Sequence, residues 1–515
     1  MKRAVWWIKR DFRLADNLAL TKALAKCDEV IPLFVFEPEH LALPDTSPMH
    51  VHAWTQALTD LRANLQHSGG DLLIARGEIR HVLTELQQRY PFTHLFSHEE
   101  TGNNWTYRRD LAVRDWCCQH AVNWRESPQN GVVRRLRTRD NRSPIIQQRL
   151  LASATLPAPS HLKFPTTLAS ICARRAVPSV SEFFSLAEYP EIQWDVLQTV
   201  SETQAHIDLQ SFLTVRGHAY SGGISSPNSA FTAGSRLSVH LAWGTLSLRT
   251  AFQRTYARVT ELKESASESK TRWLRSLRAF ESRLHWHCHF IQRLESAPHM
   301  EFHALNPAYE HLTYQDDPEK LRSWAQGRTG YPMIDACMRC LAATGFLNFR
   351  MRSMVVSFAC FGLHLDWRAI HPHLASIFLD YEPGIHLSQL QMQAGIVGIN
   401  TIRVYSPTKQ IMDQDPHCTF IKKWIPELHS FTPEEILHYE TINLGTYPAP
   451  IVDFKINSKA MKDYVFTIRK SSVGKSNSAQ VLNQHGSRKS SKKKSSPKKK
   501  KSEPTLKEDD QMKLF

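Results

Sequence analysis

Through its first 130 or so residues the chain alternates short apolar runs with helical repeats, and this alternation constrains the fold more than any other feature. Residues 5–8, 30–36, 72–75, 93–97 and 121–124 read as strands. Between them, residues 17–25, a segment opened by Ser47-Pro48, and residues 79–88 and 104–119 read as helices, the first with Asp16 as its N-cap. Strands joined through helices run parallel and are covered on both faces. Residues 1–133 are therefore expected to form a Rossmann-like α/β domain. Further on the pattern changes. Residues 237–256, 270–295, 333–344 and 349–362 carry apolar side chains at helical spacing alone, with Gly345 placed to end one helix. An all-helical domain over residues 205–465 follows from this. Residues 134–204 contain Pro157, Pro159, Pro165, Pro178 and Pro190 and hold no sustained period, as a linker between domains would. Residues 466–515, rich in Ser and Lys, are expected to be disordered.

Charge narrows the partners. Lys and Arg number 64 against 49 Asp and Glu, a net +15. Residues 471–515 hold 12 basic and 4 acidic side chains, so the tail carries +8 and the body +7. A basic tail on a basic body points to a polyanion such as DNA, weighed against lysine kept for solubility. No apolar stretch reaches the roughly 18 residues of a membrane span. Lys2, Arg3, Lys9, Arg10 and Asp11 leave no room for a signal-peptide core. A cytoplasmic chain with nine reduced cysteines is the expectation.

Local motifs narrow the chemistry less. Ser235-Arg236-Leu237-Ser238 after Gly234 reads as a phosphate cradle or as a plain N-cap. Cys337 and Cys340 fall inside a helical repeat, which suits buried thiols better than a metal site. His285, His287 and His289 alternate around Trp286 and cannot share one helix face; surface or interfacial positions suit them best. No GxSxG, HExxH or Walker A sequence occurs. Trp273, Phe280, Trp286, Phe290, Trp324, Phe346, Phe349 and Trp367 are core residues or, with Arg283, Arg350, Arg352 and Arg403 interleaved, a site for a flat ring or a stacked base.

Ordered motifs then match a known family over about residues 1–428. Trp7-Ile8-Lys9-Arg10-Asp11-Phe12-Arg13-Leu14-Ala15-Asp16-Asn17 comes first, followed by Gly234 to Ser238 with Trp243-Gly244-Thr245-Leu246-Ser247. Gly330-Tyr331-Pro332-Met333-Ile334-Asp335-Ala336 with Thr344-Gly345-Phe346, Asp366-Trp367-Arg368 and Tyr405-Ser406-Pro407-Thr408-Lys409-Gln410 complete the set. The chain resembles the DNA photolyase/cryptochrome family, as a divergent, bacterial-type branch. The resemblance implies an α/β antenna domain, with room for a second chromophore, and a helical domain holding FAD. It implies light-driven electron transfer from reduced FAD to a pyrimidine dimer in DNA, by a monomer. The matching cofactor positions are Tyr220, Ser235, Arg236, Leu237, Ser238, Phe280, Arg352, Asp380, Tyr381, Glu382 and His386. Trp286, His386 and Arg352 match catalytic positions. Arg283, Trp286, Phe349, Arg350 and Gln410 match the DNA side.

Departures from the pattern matter. His386 stands where photolyases of the family usually carry Asn and plant cryptochromes Asp. Arg283 replaces an acidic residue, His287 an arginine and Phe349 an asparagine. In the electron-feeding chain Trp367 matches the middle station, Tyr314 replaces the outer tryptophan and Leu390 the inner one. Residues 488–501 carry nine basic side chains and no acid, which suits a DNA tether. Gln511-Met512-Lys513-Leu514-Phe515 resembles the bacterial sliding-clamp peptide, with Gln511, Leu514 and Phe515 as the binding residues. The leading expectation is a photolyase-like repair enzyme. The alternatives are a cryptochrome-like photoreceptor that binds FAD without repair and a clamp-tethered DNA-binding accessory protein.

Overall fold

The computed structural model describes residues 2–136, 138–266 and 268–486. Strands β1 (Arg3–Trp7), β2 (Glu29–Phe36), β3 (Leu73–Arg76), β4 (His94–His98) and β5 (Asn123–Ser127) form one sheet. Their order is β3-β2-β1-β4-β5 and every pair is parallel. β1 shows why both faces are covered. Ala4 and Trp6 enter one apolar cluster with Leu20 and Trp54, while Val5 and Trp7 enter another with Leu83 and Val113. A period of two with both sets buried needs helices on each side. Leu18–Lys26 and Pro48–His67 cover one face; Ile79–Arg89 and Asn104–Gln119 cover the other.

In the helical domain the 27-residue helix Lys270–Ser296 runs against Pro383–Gln393. A Cβ on Gly384 would meet the Ile291 Cα at 2.6 Å, so only glycine allows these two backbones their approach. Helices Pro332–Thr344, Phe349–Ser357 and Trp367–Ile377 contribute to the same core. The loop after β1 ties the two domains together. Arg10 donates to the carbonyls of Ala242 (3.0 Å) and Tyr381 (2.9 Å), and Arg13 to that of Gly244 (2.8 Å).

Several sequence expectations are corrected. Asn17, not Asp16, caps the first helix, its side chain accepting from the Leu20 N–H at 3.0 Å. Asp16 sits at φ 51° and instead accepts from Ser247 Oγ. The fifth strand starts later than residue 121, because Ala121 takes a turn conformation at φ 55°. Residues 237–256 are not one helix. Gly244, at φ 69°, separates Ser238–Trp243 from Leu248–Glu264, and a Cβ there would collide with the Arg10 carbonyl at 2.0 Å. The linker contains short helices, Arg142–Gln147 and Thr166–Ala173 among them, and sends Val180, Ile192 and Leu197 into the core of the first domain. The expected disorder from about residue 466 is corrected as far as the described residues reach. Helix Phe454–Lys470 passes through that boundary, and Ser472–His485 is a further helix. Val481 and His485 of this last helix are buried, and Arg139 donates to the His485 carbonyl at 3.1 Å.

Candidate functional site

A cavity of about 360 Å³ opens in the helical domain. Tyr220 and the corner at Ser235, Arg236, Leu237 and Ser238 form one wall. Phe280, Arg283, Trp286 and His287 come from one face of the Lys270–Ser296 helix, as spacings of three and four residues require. Phe349 and Arg352 come from helix Phe349–Ser357, and Asp380, Tyr381, Glu382 and His386 complete the lining. All eleven residues expected at the cofactor thus line one cavity.

The corner is held by side chains from elsewhere. Arg236 takes a left-handed conformation at φ 60°, uncommon for a residue with a side chain. Arg216 donates to the carbonyls of Gly234 and Ser235, and Gln198 to that of Arg236 at 2.7 Å. The Arg236 guanidinium then lies 3.7 Å from the centroid of the Phe346 ring, with Nη1 buried and unpartnered. Burial pulls its pKa down to about 10 against the opposing pull of Asp380, so it stays a cation at neutral pH.

Arg352 donates from both Nη atoms to the two Asp380 oxygens at 2.9 Å, a bidentate pair. Burial alone would raise the Asp380 carboxyl. The Arg352 charge and hydrogen bonds override it, with help from the Ser238 hydroxyl, and hold it below the usual range. Glu382 is shifted the other way: burial raises it, only partly opposed by Arg10 at 3.1 Å. The His386 imidazole is pushed well below its ordinary value by burial, then by His371 and Arg352.

Five cavity-lining residues keep a buried polar atom without a hydrogen-bond partner: Arg236 Nη1, Asn348 Oδ1, Glu382 Oε1, His386 Nε2 and Gln389 Oε1. Such atoms are rare unless a ligand or water completes them. A cation and hydroxyls on one wall, aromatic rings, and an imidazole with carboxylates on another make a donor set that fits a cofactor with phosphates and a flat polar ring, which FAD has.

The remaining expectations fall elsewhere. Arg350 and Gln410 do not line the cavity, although Arg283, Trp286 and Phe349 do. Trp367 is buried away from it, its ring facing the Arg368 guanidinium at 4.7 Å. The Tyr314 hydroxyl is buried without a hydrogen-bond partner. Leu390 does line the cavity. The three histidines divide: His285 is exposed, His287 lines the cavity and His289 is buried. Gln511, Leu514 and Phe515 lie outside the described residues. Sequence reasoning missed Asn348 and Gln389, and it missed Asp45, whose carboxylate accepts from the Tyr381 hydroxyl at 2.8 Å. Asn348 stands two residues beyond the Thr344-Gly345-Phe346 motif; Asp45, 336 positions from Tyr381, gave no signal.

A second cavity, of about 50 Å³, lies where the strand order reverses between β1 and β4, walled by Lys9, His40, Trp54, Glu100 and Arg109 among others.

Comparison with known proteins agrees with this architecture. Residues 4–145 match the family model "DNA photolyase", and residues 280–466 match "FAD binding domain of DNA photolyase". The chain is 25% identical over 482 residues to a deoxyribodipyrimidine photo-lyase of Synechococcus, covering 89% of this chain and 95% of that one. It is 26% identical to the chloroplastic/mitochondrial cryptochrome DASH of Solanum lycopersicum, covering 88% and 81%. Its fold matches a class III photolyase from Agrobacterium tumefaciens with a TM-score of 0.76 at 23% identity, covering 92% and 98%. It also matches a Sulfolobus tokodaii photolyase, solved with two FAD molecules, with a TM-score of 0.72 at 24% identity, covering 90% and 99%. With both family models matching in order, one on each domain, and a cavity whose open polar atoms suit the cofactor, the chain belongs to the DNA photolyase/cryptochrome family and carries its FAD-binding domain.

Proposed function

We propose that this flavoprotein repairs pyrimidine dimers in DNA when illuminated. The observation that carries the reading is the cavity, with its unpartnered buried polar atoms and with Trp286 in its wall. Bound FAD would supply light absorption and reversible electron transfer. Ser235, Arg236 and Ser238 hold the phosphates, where a cation and hydroxyls meet charge and lone pairs. The Arg352–Asp380 pair sets the field at the ring, and Tyr220, Leu237, Phe280, Tyr381 and Glu382 complete the enclosure. His386, neutral and with Nε2 open, holds or gives a proton at the ring edge. Trp286 stacks an extruded base, as enzymes that act on a base require. Arg283 and Phe349 border the lesion, and Arg350 and Gln410 the flanking backbone. An antenna chromophore would sit at the strand switch point. Residues 488–501 tether the body to DNA, and Gln511, Leu514 and Phe515 engage a sliding clamp.

The test uses full-length protein with a visible flavin spectrum, illuminated under reducing conditions with a dimer-containing oligonucleotide. Dimer loss that requires light is expected. Bound flavin with no dimer loss would favour a photoreceptor, the reading that Arg283 and His386 support. A colourless protein would favour the DNA-binding accessory.

A further inference from the structure

Leu390 removes one aromatic station at the cavity, and Trp367 faces, among the described residues, a guanidinium but no other ring. Tyr381 offers a different start. It lines the cavity with its ring edge-on to His386 at 5.4 Å. Its hydroxyl donates to Asp45 Oδ2 at 2.8 Å, and the same oxygen accepts from Asn103 at 2.9 Å. A phenol yields an electron readily only when its proton can leave, and a hydrogen-bonded carboxylate is placed to take it. Behind Tyr381 the rings continue. His50 stacks on it at 5.9 Å and 15°, Trp243 lies 5.4 Å from His50, and Trp54 lies 5.6 Å from Trp243. His40 follows at 5.2 Å and Trp105 at 4.9 Å, where the half-buried indole reaches the surface beside Glu39.

We infer that Tyr381, with Asp45 as its proton acceptor, is the electron donor to the bound flavin in this chain, and that Trp243, Trp54 and Trp105 refill it from the surface. The inference rests on the flavoprotein reading above. Domain packing explains why these rings are buried. It does not explain a buried carboxylate facing the phenol: Asp45 makes no ion pair among the described residues, and apolar packing would favour Phe at 381.

Tyr381 passes one electron to the light-excited, oxidised flavin and its phenolic proton to Asp45. Trp243 returns an electron to Tyr381 as the proton comes back, and the vacancy moves on to Trp54 and Trp105. A thiol reductant in solution fills it. His50 and His40, harder to oxidise than indoles, space the stations. The Arg10 guanidinium, 5.0 Å from the Trp243 ring centroid, opposes positive charge on that ring, and Glu382 at 3.1 Å from Arg10 offsets it.

The test follows full-length, FAD-loaded, oxidised protein under anaerobic blue light with dithiothreitol, reading the bleaching rate of the oxidised-flavin band. Tyr381→Phe should slow bleaching tenfold or more at equal flavin content. Asp45→Asn keeps a hydrogen-bond acceptor but removes the base. It should slow bleaching similarly and abolish the slowing that the wild type shows in deuterated water. If Tyr381→Phe releases the flavin, Asp45→Asn and transient absorption of the wild type decide: a tyrosine or tryptophan radical formed on illumination is expected. Wild-type bleaching in both variants, or slowing by Trp367→Phe but not Asp45→Asn, overturns the route. Protein that purifies without flavin absorbance overturns the underlying reading instead, before any light is applied.

Discussion

Asp380 is the residue on which the flavin pocket's electrostatics turn. Its side chain is 7% exposed, it is held ionised by Arg352, and it faces Arg236 as well. Removing Arg352 leaves the Asp380 charge with Arg236 as its remaining cation, which costs up to about 3 kcal/mol. Arg352→Gln should therefore lower the unfolding free energy by roughly that amount, and the purified variant should hold less flavin. Denaturant unfolding and the flavin-to-protein absorbance ratio check both. Asp380→Asn in the same chain should recover part of the stability loss, because the buried charge disappears with its partner. Both members of this pair were legible in the sequence, because the motifs around them match the family in order. Asp45, Asn348 and Gln389 were not. Asp45 meets Tyr381 and Asn348 meets the Ile224 and Ser225 carbonyls, contacts between segments far apart in the chain that no local period encodes, while Gln389 lines the cavity one helical turn after His386.

At the scale of elements, the Pro48–His67 helix carries His50 to the Phe378 carbonyl of the other domain at 3.0 Å. Burial lowers this imidazole to about 4, outweighing the Phe378 hydrogen bond and Asp45, which favour its charged form, while Arg10 adds to the lowering. Above pH 6.5 neither the folded nor the unfolded imidazole binds a proton, and the interdomain contact contributes in full. As pH falls from 6.5 toward 4 the unfolded chain takes up a proton that the folded one refuses, so stability drops, by at most about 3 kcal/mol for this group. His50→Gln keeps a donor and cannot titrate, so melting curves between pH 4 and 6.5 should flatten by up to one proton's worth. The elements themselves were largely readable: a period of two for strands buried on both faces and a period near 3.6 for helices. The errors came where geometry overrides pattern. Gly244 breaks a continuous helical repeat, and Ser472–His485 is a polar, Ser-containing segment whose burial of Val481 and His485 comes from packing against distant parts of the chain, with Arg139 and Asn306 bonded to it.

Across the whole molecule, charge and chain order divide the labour. The body holds the cavity and the interdomain contacts, while most of the tail's excess charge follows the last described helix, with nine basic residues between 488 and 501. That order would set the proposed DNA tether, electrostatic and sequence-independent, between the cavity and the pentapeptide with its two apolar residues. On the proposed clamp reading, Leu514 and Phe515 would fill a hydrophobic groove and Gln511 would add a polar contact at its edge. A synthetic peptide of residues 506–515 should bind a bacterial sliding clamp in a fluorescence-anisotropy titration. The same peptide with Leu514→Ala and Phe515→Ala should lose about tenfold or more in affinity, since each truncated anchor in a packed pocket costs upward of 1 kcal/mol. Full-length protein should behave as the peptide does, and removal of residues 511–515 should abolish clamp binding while leaving salt-dependent DNA binding intact. Equal binding by the wild-type and doubly substituted peptides would show that the anchors are not read, and the tail would then act through its charge alone.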